Sequence, residues 1–250
     1  MKILDTEISD KAAMQIEAVC ESLQRPVRYL PAEDPQNGAG ADDARSGDPT
    51  EYYTVYLPSG LARRMFEANI LYELYHIRQF ETGFPTLGYK DSPLFSEDRD
   101  FVGELGSLIF TAVLDLDVYD SLCKCRYNDA VRWFAGNIYE GLTSAASYSF
   151  DNLDDKYNFA HLAVTFTKVL YHTDDEQDKK IRELFADYPL ILERSFEARD
   201  MLRANSPDAP VSAAAAMGRM LGIFDLWDLF YIRISGRKIR TKSEFDTFLT

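Results

Sequence analysis

Apolar residues recur at three- and four-residue spacing over most of this chain and at two-residue spacing in two short runs near its start. Residues 9–24 carry a helical stripe of Met14, Ile16, Val19, Cys20 and Leu23, with Ser9 or Asp10 placed to cap it. Residues 26–30 and 51–57 read as strands, the second rich in Tyr, Thr and Val. Between them, residues 31–50 set Pro and Gly among Asp and Glu, which predicts a flexible acidic loop across which the two strands can pair. Pro58 and Ser59 open a long helix over residues 60–81, with Ser59 as its expected N-cap, and Gly83 and Pro85 stop it. A loop over residues 83–96 leads to a second helix, 97–116. Its polar stripe is Glu104, Ser107, Thr111 and Asp115, and Gly103 and Gly106 permit close approach of another backbone.

Beyond residue 116 the spacing is helical almost throughout. Helices are predicted over 117–125, 128–149, 153–172, 175–204 with a break near Pro189, and 211–234 after the breaker at 205–210. The last is strongly apolar, but Arg219, Asp225 and Asp228 interrupt it, so a buried packing helix is expected and not a membrane span. The pattern as a whole predicts a mainly helical α+β fold. A small strand-containing unit, residues 1–120, would be followed by a helical bundle, residues 121–250; one continuous domain is the other arrangement. No internal repeat is evident.

The most informative stretch is residues 68–80. Ile70, Leu71, Leu74, Ile77 and Phe80 surround most of this helix, with Tyr72 and Tyr75 between them. Asn69, Glu73 and His76 recur at spacings of four and three and so share one face. A buried Glu and His cost free energy unless paired, hydrogen-bonded or metal-bound. One reading is a closed hydrogen-bond network, with His76 held by Glu104 and Glu73 by Asn69 or a backbone group.

Net charge narrows the partners. A net charge of −14 disfavours a general role in gripping nucleic acid or docking on an anionic membrane, both of which need clustered cations. Its 46% apolar content, 15 Tyr and 16 Phe indicate a folded protein and argue against disorder. The first residues turn acidic at once and show no leader-like apolar run, so a cytoplasmic location is expected. Three cysteines make no disulfide framework: Cys20 falls on a helical apolar stripe, and Cys123 and Cys125 form a C-x-C without a second pair to complete a zinc site. All three are expected as reduced thiols. The basic stretch 233–242 is a contact patch or a solvated surface.

Tyr72-Glu73-Leu74-Tyr75-His76 occupies the frame of a His-Glu-x-x-His helix, and in its position after two strands it resembles the active-site helix of zincin-like metallopeptidases of the gluzincin type. The resemblance implies zinc as cofactor, His76 as the second histidine ligand, Glu73 as general base and Glu104, on the next helix, as third ligand. Tyr72 stands where the family has its first histidine, and would have to bind metal as a phenolate. That substitution points to a degenerate homologue serving as a binding or regulatory module for a protein or peptide partner. An active zinc-dependent hydrolase and a purely structural helical interaction protein are the alternatives. The apolar C-terminal helix can serve an oligomer as readily as a core.

Other constellations are thinner. His161 and His172 lie on one predicted helix with no carboxylate spacing for a metal box, and read as core edge or surface. Residues 151–155 are acidic like a calcium loop but lack its glycine and final glutamate; an acidic helix N-terminus accounts for them. Cys123 with His76 has no local nucleophile motif, and no phosphate loop or Gly-x-Ser-x-Gly is present.

Overall fold

The computed structural model describes residues 1–32, 40–42, 51–145 and 152–249. In chain order the described residues form β1 (Lys2–Ile3), β2 (Thr6–Glu7), α1 (Asp10–Ser22), β3 (Val27–Pro31), β4 (Gly40–Asp42), β5 (Tyr53–Leu57) and α2 (Arg63–Glu81). These are followed by β6 (Thr86–Tyr89), α3 (Pro93–Glu97), α4 (Arg99–Lys124), α5 (Asn128–Ala145), α6 (Lys156–Tyr171), α7 (Asp175–Leu184) and α8 (Pro189–Ala204). The chain ends with α9 (Pro210–Ile223), β7 (Phe230–Ile234), β8 (Arg237–Ile239) and α10 (Lys242–Phe248). The fold is α+β and mainly helical, as the periodicity predicts. Among the described residues no helix is long and apolar enough to cross a membrane.

Two compact units are present: Met1–Gly83 with Val118–Arg132, and Phe84–Asp117 with Trp133–Thr250. The expected boundary at residue 120 therefore falls inside α4, whose end belongs to the first unit.

In the first unit the strands on either side of the acidic segment do pair, but in parallel, with Val27 opposite Tyr53 and Pro31 opposite Leu57. A parallel pair cannot be joined by a tight hairpin turn, and residues 32–52 separate the two strands in sequence. β4 then pairs antiparallel on the other edge of β5. As the central strand, β5 is nearly continuous in burial: Tyr53, Thr54, Val55 and Leu57 are all buried. The rest of the expected loop, residues 33–39 and 43–50, lies outside the described residues. α1 begins as predicted, with the Ser9 hydroxyl accepting from the Ala12 N–H, and its Ala12, Ala13, Ile16 and Val19 are buried. α2 starts three residues later than expected. Ala62, and not Ser59, is its N-cap, without a side-chain hydrogen bond.

In the second unit α6 and α8 form the spine of the core. Ser195 on α8 donates to the carbonyl of Ala163 on α6 at 3.0 Å, and Phe166 meets Phe185 edge-on at 4.6 Å. The predicted break near Pro189 is real: α7 ends at Leu184 and Pro189 opens α8. The predicted helices 97–116 and 117–125 fuse into α4 because no breaker separates them. Helix 128–149 is observed as α5 to Ala145, and residues 146–149 lie outside the described residues. Of the acidic run 151–155, Asp155 caps α6, its carboxylate accepting from the Tyr157 and Asn158 N–H groups.

Two predictions need correction here. The helix expected over 211–234 ends at Ile223, and residues 230–234 form β7, because Phe230, Ile232 and Ile234 are buried and alternate with Tyr231 and Arg233. The loop expected over 83–96 contains β6, which pairs antiparallel with β7 from Thr86–Arg233 to Tyr89–Phe230, and α3.

Close packing on α9 gives a stability prediction. A Cβ added at Gly218 would lie 2.2 Å from Cε2 of the buried Phe245. Gly218→Ala gains helix propensity of about 1 kcal/mol but must displace a buried ring, which costs about 1–3 kcal/mol. A net loss of stability in chemical denaturation is expected, where an exposed helical glycine such as Gly141 would show a gain.

Candidate functional site

α2 is apolar on most sides, and residues 66–71 are all buried. Two members of its polar stripe find partners within the helix. Asn69 donates its amide to the Met65 carbonyl at 2.8 Å, one turn back. Glu73 is buried at 5% exposure, and Gln79 at 2%. His76 Nδ1 lies 3.1 Å from Gln79 Oε1, so with that amide orientation Nδ1 carries the hydrogen. The Tyr72 ring meets His76 edge-to-face at 4.6 Å, and tilts against Tyr119 at 6.1 Å. Phe80, expected to join the apolar surround, is instead exposed.

Tyr72 and His76 are thus brought together, but as an aromatic pair. Glu104 lies in the second unit, where its carboxylate is 3.1 Å from His161 Nε2, outside good hydrogen-bond alignment, and Phe101 stacks on the same imidazole at 5.6 Å. Among the described residues no group of three or more His, Cys, Asp or Glu side chains is placed to hold a metal ion. Catalytic zinc takes three protein ligands and an open position. Of the expected set, Tyr72 is in ring contact with His76, His76 Nδ1 faces Gln79 Oε1, and Glu104 lies beside His161 in the second unit.

The best-defined polar centre of the first unit involves a residue that sequence reasoning missed. Glu67, on α2, is 3% exposed and accepts from the Ser9 backbone N–H at 2.8 Å and from the Tyr127 hydroxyl at 3.0 Å. It thereby joins the start of α1, α2 and the turn after α4. Burial, then the bond to Glu67, pushes the Tyr127 phenol well above its ordinary value. Beside it, Arg64 grips both oxygens of Asp129 at 2.5 and 2.7 Å, donates to the Arg126 carbonyl at 2.5 Å, and lies 4.8 Å over the Tyr127 ring. That guanidinium holds the Asp129 carboxyl below its usual range. The turn is tight, with Arg126 at φ 68°. Tyr75 shares a 3.1 Å hydrogen bond with Cys125, whose carbonyl accepts from Lys11 at 3.0 Å. An acid flanked by Phe66, Ala68 and Ile70 is the same signal that marks Glu73, and Glu67 lies one residue before the stretch 68–80.

The thiols are free, as expected. Burial raises Cys20 and Cys123 above the ordinary thiol value, which leaves them poor nucleophiles.

A second polar centre lies in the second unit. Asp115, 3% exposed, is 3.7 Å from Lys168, which also donates to the Thr111 hydroxyl at 2.7 Å. Arg203 donates to the carbonyls of Leu170, Tyr171 and Thr173 at 2.8–3.0 Å and so closes the C-terminus of α6. His172 caps that end. Burial, with Arg203 and Lys168 nearby and against the pull of Asp115, lowers it to about 4.

Comparison with protein-family models, with curated proteins and with solved structures finds no match to this chain.

Proposed function

We propose that the chain is a non-catalytic binding or regulatory module whose α2 keeps the frame of a zincin-like helix without its metal chemistry. The observation that carries this reading is the engagement of His76, by the Tyr72 ring on one side and by Gln79 Oε1 at 3.1 Å on the other. In this reading the Tyr72 ring contact and the Nδ1 bond to Gln79 orient His76 within α2, and Tyr72 replaces the imidazole that the metallopeptidase frame would offer a cation. A chain of this kind acts through what it binds. The site residues Tyr72, Glu73 and His76 then fix the packing of α2, and Glu104 serves with His161 at the second unit.

The competing reading, an active hydrolase with Glu73 as general base, makes a different prediction. Purified protein should release no peptide from a denatured casein substrate above background, with or without added zinc. Hydrolysis that Glu73→Gln abolishes while the fold is retained would replace the module reading with the hydrolase.

A further inference from the structure

The solvent face of the sheet in the second unit concentrates positive charge in an otherwise acidic chain. Residues 229–243 contain Arg233, Arg237, Lys238, Arg240 and Lys242 and no Asp or Glu, against a net charge of −14 overall. Pairing gathers three of the five on one face. Tyr231 and Arg233 alternate with buried neighbours along β7, Lys238 stands opposite Arg233, and the register continued by one residue sets Arg240 opposite Tyr231. Ile234 and Arg237 close a two-residue turn, Ser235-Gly236, with both residues at positive φ. The next pair, Arg233 and Lys238, is therefore of the closer, non-hydrogen-bonded kind, where like charges destabilise. Among the described residues none of these five side chains is ion-paired to a carboxylate. Glu244, after the hairpin, binds the Arg240 backbone N–H.

Tyr231 is built into this face. Its ring lies on Gly88 of β6, where a Cβ would come within 2.3 Å of ring Cζ. Its hydroxyl accepts from Arg233 Nε at 3.1 Å and Nη2 at 2.5 Å, which leaves the phenol hydrogen to donate outward. Arg233 and Lys238 lie 5.2 and 5.7 Å from the ring centroid. The bond from Arg233, then the nearby cations, draw the phenol below its ordinary value. Charges on an edge strand can simply deter edge-to-edge pairing, and that accounts for Arg237 and Lys238 on β8. It does not account for Arg233 on the central strand, or for a glycine that seats Tyr231 among cations.

We propose that this face binds a phosphorylated side chain of a protein partner, its phosphoryl oxygens held by Arg233, Lys238, Arg240 and the Tyr231 hydroxyl. Three cations and a hydroxyl donor on one face match a dianion with three acceptor oxygens, whereas one carboxylate would leave most of the charge unanswered. The face is the open side of a sheet, and small molecules take concave sites, so the anion must arrive on a larger surface. A nucleic-acid strand fits less well. Both cations lie within cation–π range of the one ring on this face, which leaves no stacking platform, and a longer polyanion would run onto an acidic protein. The inference goes beyond the reading of α2 and stands independently of it.

The test is an amide-resolved NMR titration of the full chain with N-acetyl-phosphoserine-N-methylamide, its unphosphorylated counterpart and a short oligothymidylate. The expected result is a saturable shift confined to Gly88, Tyr231, Arg233, Lys238 and Arg240, seen with the phosphorylated compound alone. Arg233→Gln with Lys238→Gln should weaken it by about tenfold or more while thermal stability holds or rises, since a like-charge pair is removed. Lys238→Gln alone serves if the double variant does not fold. Absence of saturable shifts, equal response to the unphosphorylated compound, unchanged affinity in the variants or tighter binding of the oligothymidylate would each overturn the proposal.

Discussion

Glu67→Ala is expected to lower the free energy of unfolding by about 3 kcal/mol, because it strands one buried and one part-buried donor, and a buried donor left unsatisfied costs about 1–3 kcal/mol. The donors are the Ser9 N–H and the Tyr127 hydroxyl, and the carboxylate that serves both is 3% exposed. Arg63 adds little: it is 3.9 Å away and mostly solvated. Glu67→Gln keeps a carbonyl oxygen for one donor and should lose roughly half as much. Urea unfolding is the measurement, with the midpoint falling and the slope unchanged. A loss in Glu67→Ala no larger than an ordinary surface change, within about 0.5 kcal/mol, would show that the network does not hold the first unit together.

The second large effect concerns acid. His172 falls to about 4 in the folded chain, from an ordinary 6.5, chiefly through burial. Its neutral form is therefore the one the fold favours. Above pH 6.5 the imidazole is neutral in both folded and unfolded chains and costs nothing. As pH falls from 6.5 toward 4 the unfolded chain takes up a proton that the folded chain refuses, so stability declines and levels off below about 4. That interval amounts to about 3 kcal/mol. The groups facing His172 are Asp115 on α4, Lys168 on α6 and Arg203 on α8, and of these Asp115 alone would welcome the proton. Other carboxylates titrate in the same range, so the comparison is with His172→Gln. The natural chain should lose about 3 kcal/mol more than the variant between pH 7 and pH 4. Parallel pH profiles would contradict the assignment.

Much of this fold is legible in the sequence where one signal acts alone. α1, the Pro189 break and the strand character of residues 53–57 follow from caps, proline and β-branched spacing. The failures have physical causes. At residues 230–234 an apolar run over 211–231 hides the change from helical to two-residue alternation, and Ser235-Gly236 is the local mark of the hairpin turn. The direction in which β3 and β5 pair is a long-range property that local pattern does not encode. In the candidate site, the burial of Glu73 and the ring contact of Tyr72 with His76 follow from helix spacing. Tyr127 as partner of Glu67 is sixty residues away in sequence, and its position carries no local signal.

The proposed reading of α2 as a packing helix turns on whether its polar stripe takes up metal. The most direct measurement is a zinc titration of chelator-treated protein against a competing indicator, beside His76→Ala. The expected result is the same weak, nonspecific uptake for both. Stoichiometric, tight zinc binding by the natural chain that His76→Ala abolishes would contradict it.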